Sequence, residues 1–236
     1  MTDKPVQTLE GIHILSGLAP ADRQALGRRC RWRRFGAGEQ IIDRETDSQD
    51  VYFVVAGLAR VVNFAANGRE VSFDDIAAGG YFGEMAALDG MPRSASVMAI
   101  EETQAASLPG PTFVEMIKDH PSASLAIMQR LTAMLRRSTG RIMDLSTLGA
   151  NNRVFAELLR LAKPQGAGPA GRAQPAVIRP VPHHADIAAR VSTTRETVAR
   201  AVSDLVRLKV LKREKGALVV LDSRRLSDMV QEFRHE

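Results

Sequence analysis

The sequence predicts an α+β chain in three parts: an N-terminal β-roll of jelly-roll type, one long helix, and a C-terminal winged helix-turn-helix. Three observations carry that reading. From about residue 10 to 115, short apolar runs alternate with turn-rich stretches. From Pro121 to Leu148, apolar residues recur in steps of three and four. Between Ile187 and Arg200 the chain reads I-A-A-R-V-S-T-T-R-E-T-V-A-R, two short apolar faces at helical spacing around a tight polar turn. The expected divisions are 1–120, 121–149 and 150–236.

In the first part, strands are expected at Gln40–Ile42, Val51–Val55, Ala59–Phe64, Val71–Ile76, Ala95–Ile100 and Ala105–Leu108. Turns are expected at Gly36-Ala37-Gly38, Asn67-Gly68 and Gly79-Gly80. Asn67-Gly68 is a strong two-residue hairpin signal, because a type I′ turn needs positive φ at both positions. Strands this short at this spacing argue for a sandwich, jelly roll or barrel. Upstream, Arg29, Arg31 and Arg33 alternate with Cys30 and Trp32, a strand-like pattern with cations outward and apolar groups inward.

Within the roll, Phe82 to Val97 reads F-G-E-M-A-A-L-D-G-M-P-R-S-A-S-V. Gly83-Glu84 opens a turn of helix whose free N–H groups would face an anion. Pro92 holds Arg93-Ser94 at the mouth of the next strand. A guanidinium, a hydroxyl and helix-start amides are what a buried phosphodiester requires, and a carboxylate beside them can accept from a ribose hydroxyl. The alternative is a surface loop with an Arg93–Glu84 ion pair, worth little.

In the long helix, Met128, Leu131, Leu135, Ser138, Ile142 and Leu145 form the a/d seam of a parallel two-stranded coil, broken by one polar residue. Gly140 costs about 1 kcal/mol relative to Ala in mid-helix. Leu148-Gly149-Ala150-Asn151-Asn152 breaks the period and reads as a hinge, with Asn151 or Asn152 capping a helix over Arg153–Ala162. Lys163–Pro182 is a connector with at most one strand, at Ala176–Val181. His183-His184 start the next helix. Thr193 with Glu196 fits a capping box, and a helix on so short a turn enters the DNA major groove. Its opening Arg195 and Glu196, with Arg200 a turn later, oppose the apolar face; Arg chelates guanine and Glu accepts from cytosine. The alternative is a solvated face laced with charge pairs. Val210–Leu221, two strands around Lys215-Gly216, supplies the wing, and Ser223–Arg234 a final helix.

Composition limits the function classes. The formal net charge is +5 over 236 residues, and Arg190–Lys215 alone holds eight basic and three acidic residues, so the excess lies where phosphates would be met. A single cysteine, Cys30, excludes a disulfide framework and an all-cysteine metal or iron–sulfur site. No apolar run approaches a membrane helix and the N-terminus lacks a signal-peptide core, so a cytoplasmic protein with no membrane partner is expected. No G-x-S-x-G, H-E-x-x-H or P-loop is present, and no enzyme and no metal are expected.

A roll carrying G-E and R-S-A, then a long helix, then R-E-T-V-x-R in a winged helix, resembles the cAMP receptor protein/fumarate-nitrate regulator (CRP/FNR) family, and its cAMP receptor branch most. The likeness runs from about Leu15 to Leu221. It implies a homodimer through residues 121–148 with double-stranded DNA and RNA polymerase as partners. It implies that a cyclic nucleotide, cAMP or cGMP, is held by Gly83, Glu84, Met85, Arg93, Ser94 and Ala95. Ser138 and Thr139, a reversed form of the family's Thr-Ser pair, would read the purine across the dimer; the plainer alternative makes Ser138 a register position. Thr194, Arg195, Glu196, Thr197 and Arg200 would meet a TGTGA-N6-TCACA-like palindrome, with Lys212 and Lys215 on phosphates. Arg31 and Arg33 would face the polymerase, or form a solvated edge. Two departures are visible: Met134 stands where the family often has an arginine supporting the ribose-binding carboxylate, and Ser192 where it has a turn glycine. Another ligand, such as cyclic di-GMP, or activity without ligand stays open.

Overall fold

The computed structural model describes residues 7–164 and 175–231. The chain divides into two compact units, Met1–Met134 and Leu135–Glu236. In the first, a short helical turn at His13–Leu15 and helix α1 (Pro20–Arg29) precede two four-stranded antiparallel sheets. One sheet orders β1 (Arg31–Phe35), β8 (Thr103–Leu108), β3 (Val51–Ala56) and β6 (Tyr81–Phe82). The other orders β2 (Gln40–Ile42), β7 (Ser96–Ala99), β4 (Leu58–Phe64) and β5 (Glu70–Ala77). Helix α2 (Glu84–Asp89) follows β6, and α3 (Gly110–Asp119) leads into α4 (Pro121–Thr147).

Alternation along the strands builds two cores. Phe35, Ile42, Val54, Ala59, Ile76, Phe82, Val97 and Ala105 fill the space between the sheets. Val51, Phe53, Tyr81, Ala106 and Leu108 instead meet Leu15, Leu26, Phe113, Met116, Ala123 and Ile127 from the helices. Each fully buried Phe or Leu contributes about 1.5–3 kcal/mol.

Arg29 does not belong to the strand: it ends α1, and its guanidinium donates to Thr112 Oγ1 at 2.7 Å. Helices α1 and α3 were not anticipated; α1 buries only Leu26 and carries no apolar period to read. Asn67-Gly68 does not form the two-residue turn. The β4–β5 pairing ends at Phe64↔Glu70, Ala65 N donates to Arg69 O, and positive φ occurs at Gly68 but not at Asn67, whose side chain accepts from Arg69 N.

In the second unit, α5 (Ala150–Leu161), β9 (Lys163–Pro164) and β10 (Ala176–Ile178) precede α6 (His184–Val191) and α7 (Arg195–Arg207). The hairpin β11 (Leu211–Glu214)–β12 (Ala217–Val220) and helix α8 (Ser223–Gln231) follow. Its sheet orders β11-β12-β10-β9, so β10 extends the wing and Lys215-Gly216 closes it. One apolar core joins Val154, Leu158, Ile178, Ile187, Val191, Val198, Val202, Leu205, Leu211 and Leu226. The connector's residues 165–174 and the expected end of the last helix, with Phe233, lie outside the described residues. Neither Asn151 nor Asn152 caps α5: Gly149 is the N-cap, with ordinary negative φ, and Asn152 is buried inside the helix.

The tight passage from β3 to β4 depends on Gly57, whose φ is +87°. A Cβ there would lie 2.4 Å from Glu102 O and 2.7 Å from Thr103 Cα. Gly57→Ala is expected to destabilise the roll by about 1–3 kcal/mol, read as a lowered thermal midpoint. An unchanged midpoint would mean that this crossing yields freely.

Candidate functional site

The first site is assembled where β6 ends. Tyr52 of β3 stacks on Phe82 with ring centroids 5.2 Å apart, which fixes the strand end. The chain then turns through Gly83, at φ +86°, into α2. Glycine is required on two counts: positive φ, and a Cβ that would lie 2.7 Å from Arg93 Nη1 and 2.9 Å from Asp50 O.

Arg93 is 3% exposed. Its Nε donates to Ser48 Oγ (3.0 Å), Nη1 to Gly83 O (2.8 Å) and Nη2 to Asp50 O (2.7 Å). Its backbone is held on both sides by the loop after β2, with Arg93 N donating to Thr46 O and Glu45 N to Arg93 O. All three side-chain acceptors are neutral, so the guanidinium keeps its full charge, and one N–H on each Nη stays outside these three bonds. Burial lowers its pKa, and Tyr52, Asp50 and Glu84 oppose that. The alternative of an exposed Arg93–Glu84 ion pair is therefore not what forms.

Glu84 opens α2 and is 4% exposed. Burial raises its carboxyl pKa; Arg130 of α4 is the largest opposing influence, while Asp74 pushes further upward and Arg93 downward. The Arg130 guanidinium lies 4.2 Å over the ring of Tyr81, whose phenol burial pushes up to about 12. Met134 stands where the resemblance implies an arginine, and the cation that meets this carboxylate is Arg130, one helical turn earlier. Ser94 is exposed, its hydroxyl 3.7 Å from Met85 Sδ, and its carbonyl accepts from Asn63 Nδ2 at 3.3 Å. Met85 is 42% exposed and Ala95 partly so. Gly83, Glu84, Met85, Arg93, Ser94 and Ala95 are thus brought to one end of the roll. Ser138 and Thr139 are exposed on the part of α4 within the second unit, and Thr139 Oγ1 donates to Leu135 O.

The second site is the α6–α7 pair. Ser192 accepts the turn's cost itself, at φ +52° and ψ +52°. The expected Thr193–Glu196 capping box does not form; the cap is Thr194, whose Oγ1 accepts from Thr197 N at 3.2 Å. Helix α7 buries Val198, Ala201, Val202 and Leu205, and presents Arg195, Glu196 and Arg200 to solvent. Hydrogen bonding from its own backbone and from Thr194 lowers the Glu196 pKa, so it is ionised. In the wing, Lys212 and Lys215 are exposed, but Lys212 is paired with Glu214 at 2.9 Å. One cation of the wing, Arg213, carries no expectation from the sequence, and it bears on His184 at the start of α6. Burial lowers the His184 pKa, and the charges of Arg213 in the wing, Arg195 of α7 and His183 lower it further. Strand alternation sets Arg213 opposite Lys212, and that was the available signal.

Among the described residues, no helix is long and apolar enough to cross a membrane, and no group of His, Cys, Asp or Glu could hold a metal ion.

Residues 32–120 match the cyclic nucleotide-binding domain family and residues 152–229 the Crp-like helix-turn-helix domain family. The chain is 28% identical to the cyclic AMP receptor protein of Thermus thermophilus, over 94% of this chain and 98% of that one. It is 27% identical to the CRP-like cAMP-activated global transcriptional regulator of Mycobacterium tuberculosis, over 91% and 94%. Its fold is also that of a CooA mutant from Carboxydothermus hydrogenoformans, with a TM-score of 0.73, 20% identity, and coverage of 86% and 88%. A cyclic nucleotide-binding roll and a helix-turn-helix on one chain define a ligand-binding transcription regulator. The chain belongs to the CRP/FNR family.

The buried Glu84 generates a pH prediction. Its folded pKa is raised above the ordinary 4.5, so stability is full below that value and declines as pH rises through the folded pKa. Without nucleotide, Glu84→Gln is expected to melt above the native chain near neutral pH, with the gap closing toward pH 4.5. A gap independent of pH would contradict a buried, ionising Glu84.

Proposed function

We propose that the protein is a homodimeric, cytoplasmic transcription regulator in which cAMP or cGMP, bound in the roll, shifts the dimer toward its DNA-competent state. The observation that carries this is Arg93, a buried guanidinium held only by neutral oxygens. A cyclic phosphodiester is the monoanion such a cation takes, with Ser94 and the Gly83–Met85 amides completing the cradle and Glu84 accepting from the ribose 2′-hydroxyl. Residues 1–120 then form the sensor, 121–149 the dimerisation helix and hinge, and 150–236 the DNA reader.

The dimer is supported by exposed apolar side chains along one seam of α4: Met128 is 56%, Leu135 68%, Ile142 62% and Leu145 49% exposed in the single chain. Covering such a stripe with a second copy is the economical solution in water. In that dimer Ser138 and Thr139 contribute to purine recognition. Arg195, Glu196 and Arg200 read base edges of a TGTGA-N6-TCACA-like palindrome, Thr194 and Thr197 contact the backbone near the helix start, and Lys212 and Lys215 meet phosphates. Arg31 and Arg33, both exposed on the edge strand β1, face RNA polymerase.

Calorimetry with cAMP, cGMP and cyclic di-GMP, beside gel shifts on the palindromic duplex with and without each, tests the reading. Nucleotide must prefer the DNA-competent state, since equal affinity for both states shifts nothing. Binding of neither cAMP nor cGMP would end the ligand assignment while leaving the DNA reader intact.

Arg93→Ala is expected to lower nucleotide affinity at least about ten-fold, because a buried charge-assisted hydrogen bond contributes roughly 1.5–3 kcal/mol. Native affinity in a folded variant would move the phosphate elsewhere. Arg200→Ala is expected to relax selectivity at one guanine position per half-site, by ~1–3 kcal/mol, and not to weaken all sequences alike. A binding-site selection that returned the native motif at full information would remove α7 as the reader.

A further inference from the structure

Where α4 ends, four charged side chains from three helices form a chain of alternating sign. Asp144 of α4 accepts from the Arg160 guanidinium of α5. Arg160 Nη1 also lies 3.3 Å from Glu157 Oε2, and Arg190 Nη1 of α6 lies 3.4 Å from Glu157 Oε1. The carboxylates of Asp144 and Glu157 are 4% and 3% exposed. Beside them, Arg153 of α5 donates Nη1 to Leu148 O (2.8 Å), Nε to Val191 O (2.9 Å) and Nη2 to Ser192 O (3.2 Å). These carbonyls lie at or just beyond the C-terminal ends of α4 and α6, where helix carbonyls lack partners and negative partial charge gathers. One guanidinium therefore caps two helices from different parts of the unit.

The apolar contacts at this corner are divided differently. Among the described residues, the core of the second unit draws on α5, α6, α7, the wing and α8, but on no residue of α4 itself; Leu148, just past its end, is the nearest contributor. Apolar packing is non-directional, whereas a fork of N–H donors on carboxylates and carbonyls fixes angle and register. Replacing a buried ion pair with apolar groups is often neutral or stabilising, so these pairs are poor candidates for mere adhesion. Arg195, the first residue of α7, follows Ser192 by three positions.

We propose that Asp144, Arg153, Glu157, Arg160 and Arg190 form the coupling site of this regulator. They are positioning residues that make the last turns of α4, helix α5 and the turn before α7 move as one body, and none of them touches nucleotide or base. The proposal rests on the nucleotide-responsive reading given above. A change in the disposition of α4 then reaches the recognition helix through a polar clamp, while the apolar core keeps the reader folded whichever way it points.

The test is a coupling ratio: affinity of the dimer for the palindromic duplex with saturating cAMP or cGMP, divided by its affinity without nucleotide. The double variant Asp144→Asn, Arg160→Gln removes both charges together and leaves the buried Glu157 its pairing with Arg190. It is expected to bind nucleotide as the native protein does, and to lose at least about five-fold in the coupling ratio, the lower end of ordinary allosteric coupling. A native ratio in the folded double variant overturns the proposal. Should that variant not fold by circular dichroism, Arg160→Lys decides: it retains the charge but not the fork that spans two carboxylates. A reduced ratio at native nucleotide affinity supports the clamp, and a native ratio overturns it. A native protein whose ratio is one for both nucleotides refutes the functional reading itself, and the clamp falls with it.

Discussion

Keeping one guanidinium buried, charged and without a carboxylate partner is the constraint around which the sensor is arranged. Arg93 achieves it by taking a hydroxyl and two backbone carbonyls, from Ser48, Gly83 and Asp50. Such acceptors satisfy N–H groups without cancelling charge, so positive potential persists in a low-dielectric site where it acts most strongly. The rest follows from geometry. Gly83 must lack a side chain, the loop after β2 must grip the Arg93 backbone from both sides, and the nearby carboxylate of Glu84 must find its principal cation elsewhere. Arg130 meets that last demand while lying over the face of Tyr81.

The DNA reader solves a different problem, that of holding a helix by one face while its other face stays chemically available. Val198, Ala201, Val202 and Leu205 bury a continuous stripe, leaving Arg195, Glu196 and Arg200 in solvent. The strain of the turn falls on Ser192, a non-glycine residue in the left-handed region. Its carbonyl and that of Val191 are held by Arg153, so the strained turn is also a fastened one. Arginine thus serves both units in one chemical manner, donating to backbone carbonyls at the points where the chain must turn sharply.

The two halves differ in how their stability and their responsiveness are distributed. In the roll, the sheet interior and the layer of helices both consist of apolar side chains close-packed on alternate faces of the same strands, an arrangement with little freedom to slide. In the reader, the apolar core is shared among helices and wing, but the end of α4 is attached through charges. A regulator that must fold in both of its functional states gains by placing the directional contacts at the joint and the non-directional ones within each part.

Much of this was legible in the sequence because it is local. The two apolar faces around Ser192-Thr193-Thr194, the Lys215-Gly216 wing turn, the strand runs and the Gly83-Glu84…Arg93-Ser94 cassette each depend on residues a few positions apart, whose pattern of side-chain polarity dictates helix, strand or turn. What local pattern left open, the tertiary structure decided. The cap of α7 passed from Thr193 to Thr194, because the capping position depends on where Ser192 bends the backbone. Asn67-Gly68 gave way to a longer loop, since the β4–β5 register, not the dipeptide, sets where pairing stops. Helix α1 carries no apolar period, and only its place against the roll gives it a buried face. Which arginine of α4 supports Glu84 is likewise a matter of helix rotation: Ala123 and Ile127 pack into the helical layer and so turn Arg130 toward Tyr81. The sequence by itself determined the strands of the roll, the long helix and the helix-turn-helix with its wing, and the residue types they carry. The long-range choice of which charged side chains meet was made only by packing, because a guanidinium on a flexible stem takes its partner from whatever the folded backbone brings within reach.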